Sequence, residues 1–132
     1  LCIVDLDTVM PGLVLFDFGD SIRFGANDCA EDESDLTKVN FDFDLYETYV
    51  KGFIEGTNGI LTEAELEYLP WGARVITLEQ GIRFLTDYIN GDVYYQTNRP
   101  GQNLDRARTQ LKLVQDMENS WDQMVQAVQN MK

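Results

Sequence analysis

The chain has 132 residues, of which 44% are hydrophobic and 25% charged, as in an ordinary globular domain that can bury a core. Its 10 Lys and Arg against 23 Asp and Glu give a net charge of −13, which repels phosphate backbones and anionic lipids. We therefore expect no nucleic-acid partner and no membrane partner. With no His and two Cys, the sequence excludes a zinc site and a His-based triad.

No repeat and no linker divides the sequence, which predicts a single domain over residues 1–132. The sequence has no apolar run long enough for a transmembrane helix and no basic, apolar leader typical of a signal peptide. Together with the two widely spaced Cys, this pattern favours a reduced, cytoplasmic setting.

The chain opens on the apolar run Leu1-Cys2-Ile3-Val4, followed by the carboxylates Asp5 and Asp7 and the turn Pro11-Gly12. A short apolar run bounded by turn signals predicts a short strand or hairpin, with Asp5 where the strand ends. Oxygen ligands suit Mg²⁺, so Asp5 is a candidate metal ligand. The plainer alternative is that Asp5 caps a turn and Asp7 is solvated.

The remainder of the chain is predicted to be mainly helical. Apolar residues at helical spacing and helix-end signals predict about five helices, at about 17–25, 42 or 44 to 56, 62–69, 71–90 and 103–131. Thr62 and Glu65 form a capping box, and Pro70 suits the first turn of the next helix. The segment 27–38 is polar and rich in acidic residues, which predicts an exposed, mobile loop.

The helix at 70–90 is predicted to be central, because its apolar surface is wider than one face. Its buried stripe is predicted to be Val75, Leu78, Ile82, Leu85 and Ile89. Its polar residues Glu79, Arg83 and Asp87 recur every four residues, so they share one line. The aromatic segment 92–97 is expected to be irregular or extended and to lie over the core. The core stripe of the last helix is predicted to be Leu104, Ala107, Leu111, Val114, Met117, Trp121, Met124 or Val125, and Val128.

Two interpretations of the opening carboxylates come from known sites. In the first, the opening resembles the motif of haloacid-dehalogenase-type phosphatases, with Asp5 as nucleophile and Asp7 as acid and base. That fold requires strands that alternate with helices, which the remainder of the sequence does not predict. In the second, the carboxylates form a calcium loop, but Val9 falls where an oxygen ligand is needed, so we discard it.

A third interpretation takes longer runs of the sequence together. The opening and the Phe16-Asp17-Phe18-Gly19-Asp20 element resemble the aminoglycoside phosphotransferase and choline kinase branch of the protein-kinase-like fold. Within it, the chain is most similar to the N-acetylhexosamine 1-kinase group. The runs that carry this resemblance are Val4-Asp5-Leu6-Asp7-Thr8-Val9-Met10-Pro11-Gly12, Gly81-Ile82-Arg83-Phe84-Leu85-Thr86-Asp87-Tyr88 and Asn103-Leu104-Asp105-Arg106-Ala107-Arg108.

This resemblance implies a function for several residues. Asp5 would hold the Mg²⁺ that bridges the phosphates of ATP, and Asp17 would support the catalytic loop by hydrogen bonding, a role compatible with a plain helix cap. Arg83 would donate hydrogen bonds to the N-acetylhexosamine, Asp87 would orient Arg83, and Tyr94 would pack on the sugar face. The alternative for Arg83 is an ordinary ion network with Glu79 and Asp87.

The sequence lacks the Gly-rich loop, the strand Lys and the catalytic loop with its base Asp that such kinases need. We therefore expect the chain to be the C-terminal, helical part of the large lobe of a sugar kinase, inactive alone, which uses ATP and Mg²⁺ when complete. The alternative is a helical interaction module whose exposed apolar surface binds a partner. Self-association through an uncovered edge is a further expectation.

Overall fold

The computed structural model describes residues 9–131, which form five α-helices and no strand. These are α1 (Val14–Gly25), α2 (Phe43–Thr57), α3 (Glu63–Ile89), α4 (Gln102–Asn119) and α5 (Trp121–Gln129). The mainly helical class is thus confirmed, and the sheet that a haloacid-dehalogenase-type phosphatase needs does not occur in residues 9–131. The predicted N-terminal strand, Asp5 and Asp7 lie outside the described residues. No helix in this part of the chain has the length and apolar character to cross a bilayer.

Helix α3 is one helix of 27 residues, so the prediction of two helices that meet at Pro70 is wrong. The capping box is confirmed: Thr62 accepts from the Glu65 N–H, and the Glu65 carboxylate accepts from the Thr62 N–H. Pro70 lies inside the helix and is buried beside Leu69. A proline in a helix interior costs about 3 kcal/mol, so tertiary burial here outweighs the local preference.

The predicted buried stripe of α3 is wrong for three of its five residues, while Leu78 and Leu85 are half-buried. Val75, Ile82 and Ile89 are 48%, 54% and 72% exposed. The residues that α3 buries beyond its first turns are mostly small, namely Gly72, Ala73, Thr77, Gly81, Phe84 and Asp87. The reason is close helix packing, because α1 approaches the backbone of α3 at Gly72 and α4 approaches it at Gly81. A side chain at Gly72 would overlap α1, and one at Gly81 would crowd α4.

The core lies where α1, α2, α3 and α5 meet, with the end of α4 closing it. Met117, Met124 and Val128 are buried, which confirms them as core residues. Leu111, predicted for the same stripe, is 42% exposed. The last predicted helix is divided into α4 and α5 at Ser120, whose N–H donates to the carbonyls of Asp116 and Met117. The core also includes the side chains Phe18, Ile22, Tyr46, Val50 and Leu69.

The acidic segment between α1 and α2 is not simply exposed, which corrects the prediction for residues 27–38. Glu31 accepts from Arg23 Nη1 at 2.8 Å and lies 3.6 Å from Arg106 Nε, and Asp32 pairs with Arg99 at 3.3 Å. Runs of charged residues are normally solvated, but here Glu31 and Asp32 pair with Arg106 and Arg99 near the start of α4. The segment is therefore anchored to the end of the bundle that carries the candidate site.

Candidate functional site

The end of α3 and the segment that follows it enclose an open cleft of about 350 Å³. Three of the residues predicted from the sequence, Arg83, Asp87 and Tyr94, line this cleft together. The other lining residues are Ile82, Thr86, Asn90, Val93 and Tyr95. The cleft therefore combines apolar walls with a few polar groups, as small-molecule sites do.

The chain reverses sharply after α3. Gly91 and Asp92 both have left-handed backbone angles, with φ of 90° and 58°. Glycine adopts this conformation readily, and Asp is among the few other residues that tolerate it. The Asp92 N–H donates to the carbonyl of Asp87 at 2.9 Å, which closes the turn. As a result, residues 93–95 return over the last turns of α3.

The carboxylate of Asp87 binds this returning segment. Oδ1 accepts from the N–H groups of Val93 at 3.0 Å and Tyr94 at 2.8 Å, and Oδ2 accepts from the Tyr95 N–H at 2.9 Å. Oδ2 also accepts from Asn103 Nδ2 at 2.9 Å. Burial raises the pKa of Asp87, but the three backbone N–H groups outweigh burial and hold it below its ordinary value. The carboxylate is thus charged and occupied by protein donors.

Arg83 lies over the two tyrosines that this segment carries. Its guanidinium carbon is 5.9 Å from the ring centroid of Tyr94 and 5.7 Å from that of Tyr95, within the range of a cation–π contact. Its Nε is 3.7 Å from Glu79 Oε1. Within the described residues Arg83 forms no ion pair with Asp87, so the expected network is only half present. Asp87 instead acts on the backbone of the tyrosines that flank Arg83.

Asn103 is the residue at this site that the sequence prediction missed. It is fully buried, and its Nδ2 donates to Asp87 Oδ2 and to Asp92 Oδ1, both at 2.9 Å. Its Oδ1 accepts from Arg106 Nη1 at 2.9 Å. An Asn before an apolar helical stripe predicts an N-cap, but the residue at that position is Gly101. The sequence contained no signal for the contact with Asp87.

Asp17 lies apart from the cleft. It is exposed in the first turn of α1, which begins at Val14 and has Leu13 at its N-cap position, so Asp17 does not cap the helix. Helix α1 packs on α3 at Gly72, eleven residues before Arg83, which corresponds to about 16 Å along the helix. A contact between Asp17 and a catalytic loop stays a prediction.

In residues 9–131, no three Asp, Glu or Cys side chains are arranged so that they could hold a metal ion. Asp5, the predicted Mg²⁺ ligand, lies outside the described residues. No protein-family model matches the chain. The functional assignment accordingly depends on the cleft and on the resemblance of the sequence.

Proposed function

We propose that this chain is the C-terminal, helical part of an ATP-dependent sugar kinase that phosphorylates an N-acetylhexosamine at its anomeric hydroxyl. The observation that carries the proposal is the Arg83 guanidinium held over the Tyr94 ring at an open cleft, with Asp87 holding the backbone beneath. These are the three residues for which the resemblance implies a role at the sugar.

The chemistry of the cleft suits a neutral sugar. Tyr94 is 73% exposed and offers an apolar ring on which a sugar face could pack. Arg83 offers planar donors for ring and acetamide oxygens, since its only ion-pair partner within residues 9–131 is the half-exposed Glu79. Binding of a neutral hexose is not opposed by the net charge of −13, whereas the anionic ATP is expected to bind through Mg²⁺ and groups outside the cleft.

Phosphoryl transfer requires groups beyond the cleft. Asp5 is proposed to bind Mg²⁺ and Asp17 to support the catalytic loop. The sequence does not contain the Gly-rich loop, the Lys or the base Asp, so another part of the enzyme would have to supply them. We therefore expect no kinase activity from these 132 residues alone.

The test is Arg83→Ala in the whole protein that carries this chain, with sugar-dependent and ATP-dependent kinetics measured separately. We expect the KM for N-acetylglucosamine to rise by about 10- to 100-fold, because several hydrogen bonds to the sugar are lost, with the KM for ATP unchanged. The matched control is Arg74→Ala, which removes another arginine of α3 that lies over Trp71 and pairs with Glu118, away from the cleft. Unchanged sugar kinetics in Arg83→Ala would refute the sugar site.

A second candidate function is a helical interaction module, and one surface favours it. An apolar groove of about 340 Å³ runs between α1 and α3. Its lining includes the exposed side chains Leu13, Phe16, Tyr68, Trp71 and Val75. Exposed apolar patches of this kind mark partner interfaces. Sedimentation of the isolated chain tests self-association there: Val75→Lys should dissociate an oligomer formed through this groove, and a chain that is monomeric at high concentration removes that form of the hypothesis.

A further inference from the structure

We propose that Asn103 is a positioning residue of the cleft, which holds the ligand-contacting segment 93–95 in place through Asp87. This proposal rests on the proposed sugar site, and it makes Asn103 a residue that affects the affinity of the cleft for sugar without contacting the sugar. Asn103 is fully buried and is not among the residues that line the cleft. Its effect on a ligand must therefore pass through its hydrogen-bond partners.

The hydrogen bonds of Asn103 leave its amide one orientation. Nδ2 uses both hydrogens, one on Asp87 and one on Asp92, and Oδ1 accepts from Arg106. A flipped amide would set Oδ1 against two carboxylates and the nitrogen against a guanidinium, which are three unfavourable contacts. The guanidinium of Arg106 is itself held over the Phe84 ring, with 5.4 Å between its central carbon and the ring centroid. The Asn103 amide is thus fixed by the two carboxylates on its nitrogen and by Arg106 on its oxygen.

Asn103 joins two carboxylates that would otherwise repel each other. Asp87 and Asp92 each accept from the same NH₂ group at 2.9 Å, so their carboxylate oxygens lie close together, Asp87 buried and Asp92 half-buried. Neither forms an ion pair within residues 9–131. Removal of the shared donor would leave Asp87 with its backbone donors alone and Asp92 repelled from it. Since Asp92 begins the returning segment, the repulsion acts to open that segment.

The returning segment carries the ligand contacts. The N–H groups of Val93, Tyr94 and Tyr95 bind Asp87, and the two tyrosine rings hold the Arg83 guanidinium. If residues 93–95 are open in a fraction of the molecules, only the remaining molecules have a cleft that can bind the sugar. The apparent affinity for the sugar then falls in proportion to the remaining fraction, with the intrinsic contacts unchanged.

The first experiment compares Asn103→Leu with wild type in the whole protein that carries this chain. We expect the KM for N-acetylglucosamine to rise about tenfold, with kcat and the KM for ATP nearly unchanged. Hydrogen exchange in the same proteins should show the amides of residues 93–95 losing protection by about tenfold or more. The control is Thr77→Val, which removes a buried hydroxyl from α3 that donates to the Ala73 carbonyl at 2.7 Å. It should lose stability without altering the sugar KM.

The second experiment uses Asn103→Asp, which keeps the shape but places a third carboxylate beside Asp87 and Asp92. Asp87 and Asp92 raise the pKa of the new carboxyl, and the Arg106 guanidinium, which faces its other oxygen, opposes them in part. The variant should therefore bind sugar poorly at about pH 8 and better as the pH falls and the new carboxyl becomes a donor. A neutral sugar gives the wild type no such dependence at this site. This series also decides the question if Asn103→Leu does not fold.

The outcomes separate the two proposals. If a folded Asn103→Leu variant keeps wild-type sugar KM and wild-type protection of residues 93–95, Asn103 is not a positioning residue. If the wild-type protein has no sugar-dependent activity, the sugar kinase proposal fails. Hydrogen exchange of the three amides in Asn103→Leu then still decides whether Asn103 holds the segment.

Discussion

Gly19 of α1 and Gly72 of α3 face each other so closely that neither has room for a side chain. A Cβ on Gly19 would overlap the carbonyl oxygen of Gly72, and a Cβ on Gly72 would lie 2.6 Å from the carbonyl oxygen of Leu15. Backbone atoms cannot move aside as a side-chain tip can. The two helices therefore pack backbone to backbone, and the position of α1 on α3 depends on these two glycines.

We predict that Gly19→Ala destabilises the domain by about 1–3 kcal/mol, because α1 must move away from α3. The control is Gly52→Ala in α2, where an added Cβ meets nothing within 4 Å. Alanine in that helix interior should stabilise by about 0.5–1 kcal/mol. Urea denaturation measures both changes. A Gly19→Ala variant as stable as wild type would show that α1 and α3 do not pack in this way.

The carboxylate of Asp87 should make the free energy of unfolding fall at acidic pH. Its pKa in the folded chain lies below the ordinary 3.8, because three backbone N–H groups outweigh the effect of burial. This contribution to stability is therefore complete above that ordinary value and is lost as the pH falls towards the lower native pKa.

We predict that Asp87→Asn removes this contribution, so that its free energy of unfolding falls less steeply than that of wild type below about pH 4. At neutral pH the variant should be less stable, because the charged acceptor is lost. Denaturation across this pH range measures the difference, and Asp122→Asn, at an exposed carboxylate of α5, controls for the change in net charge. Equal slopes for wild type and Asp87→Asn would contradict the buried hydrogen bonds.

The thiol of Cys29 should react slowly. Burial raises its pKa, and the neighbouring carboxylates Asp28 and Glu33 raise it further, while a hydrogen bond to Asn27 opposes them only in part. In a Cys2→Ser background, in which Cys29 is the sole thiol, we predict slow alkylation at about pH 8 that speeds up when urea unfolds the chain. A native thiol that reacts as fast as the unfolded one would refute this environment.

The local features of the fold could be predicted because they depend on neighbours in sequence. The capping box begins α3 where Thr62 and Glu65 place it, and Asp42, one of the two predicted starts of α2, is its N-cap and accepts from the Leu45 N–H at 2.9 Å. The four-residue spacing of Arg83 and Asp87 put both at one end of α3, where the cleft lies. These predictions required only the period of a helix and the chemistry of its ends.

Distant contacts decided the rest. The sequence by itself determined a mainly helical chain, its acidic character and the group of residues at the end of α3. Only the tertiary structure decided that α3 continues through Pro70, that its small residues rather than Val75 and Ile82 face the core, and that Asp87 binds backbone and Asn103 rather than Arg83. The physical reason is that a helical pattern names the residues that share a face, whereas the neighbours that fit against that face are supplied by parts of the chain far away in sequence.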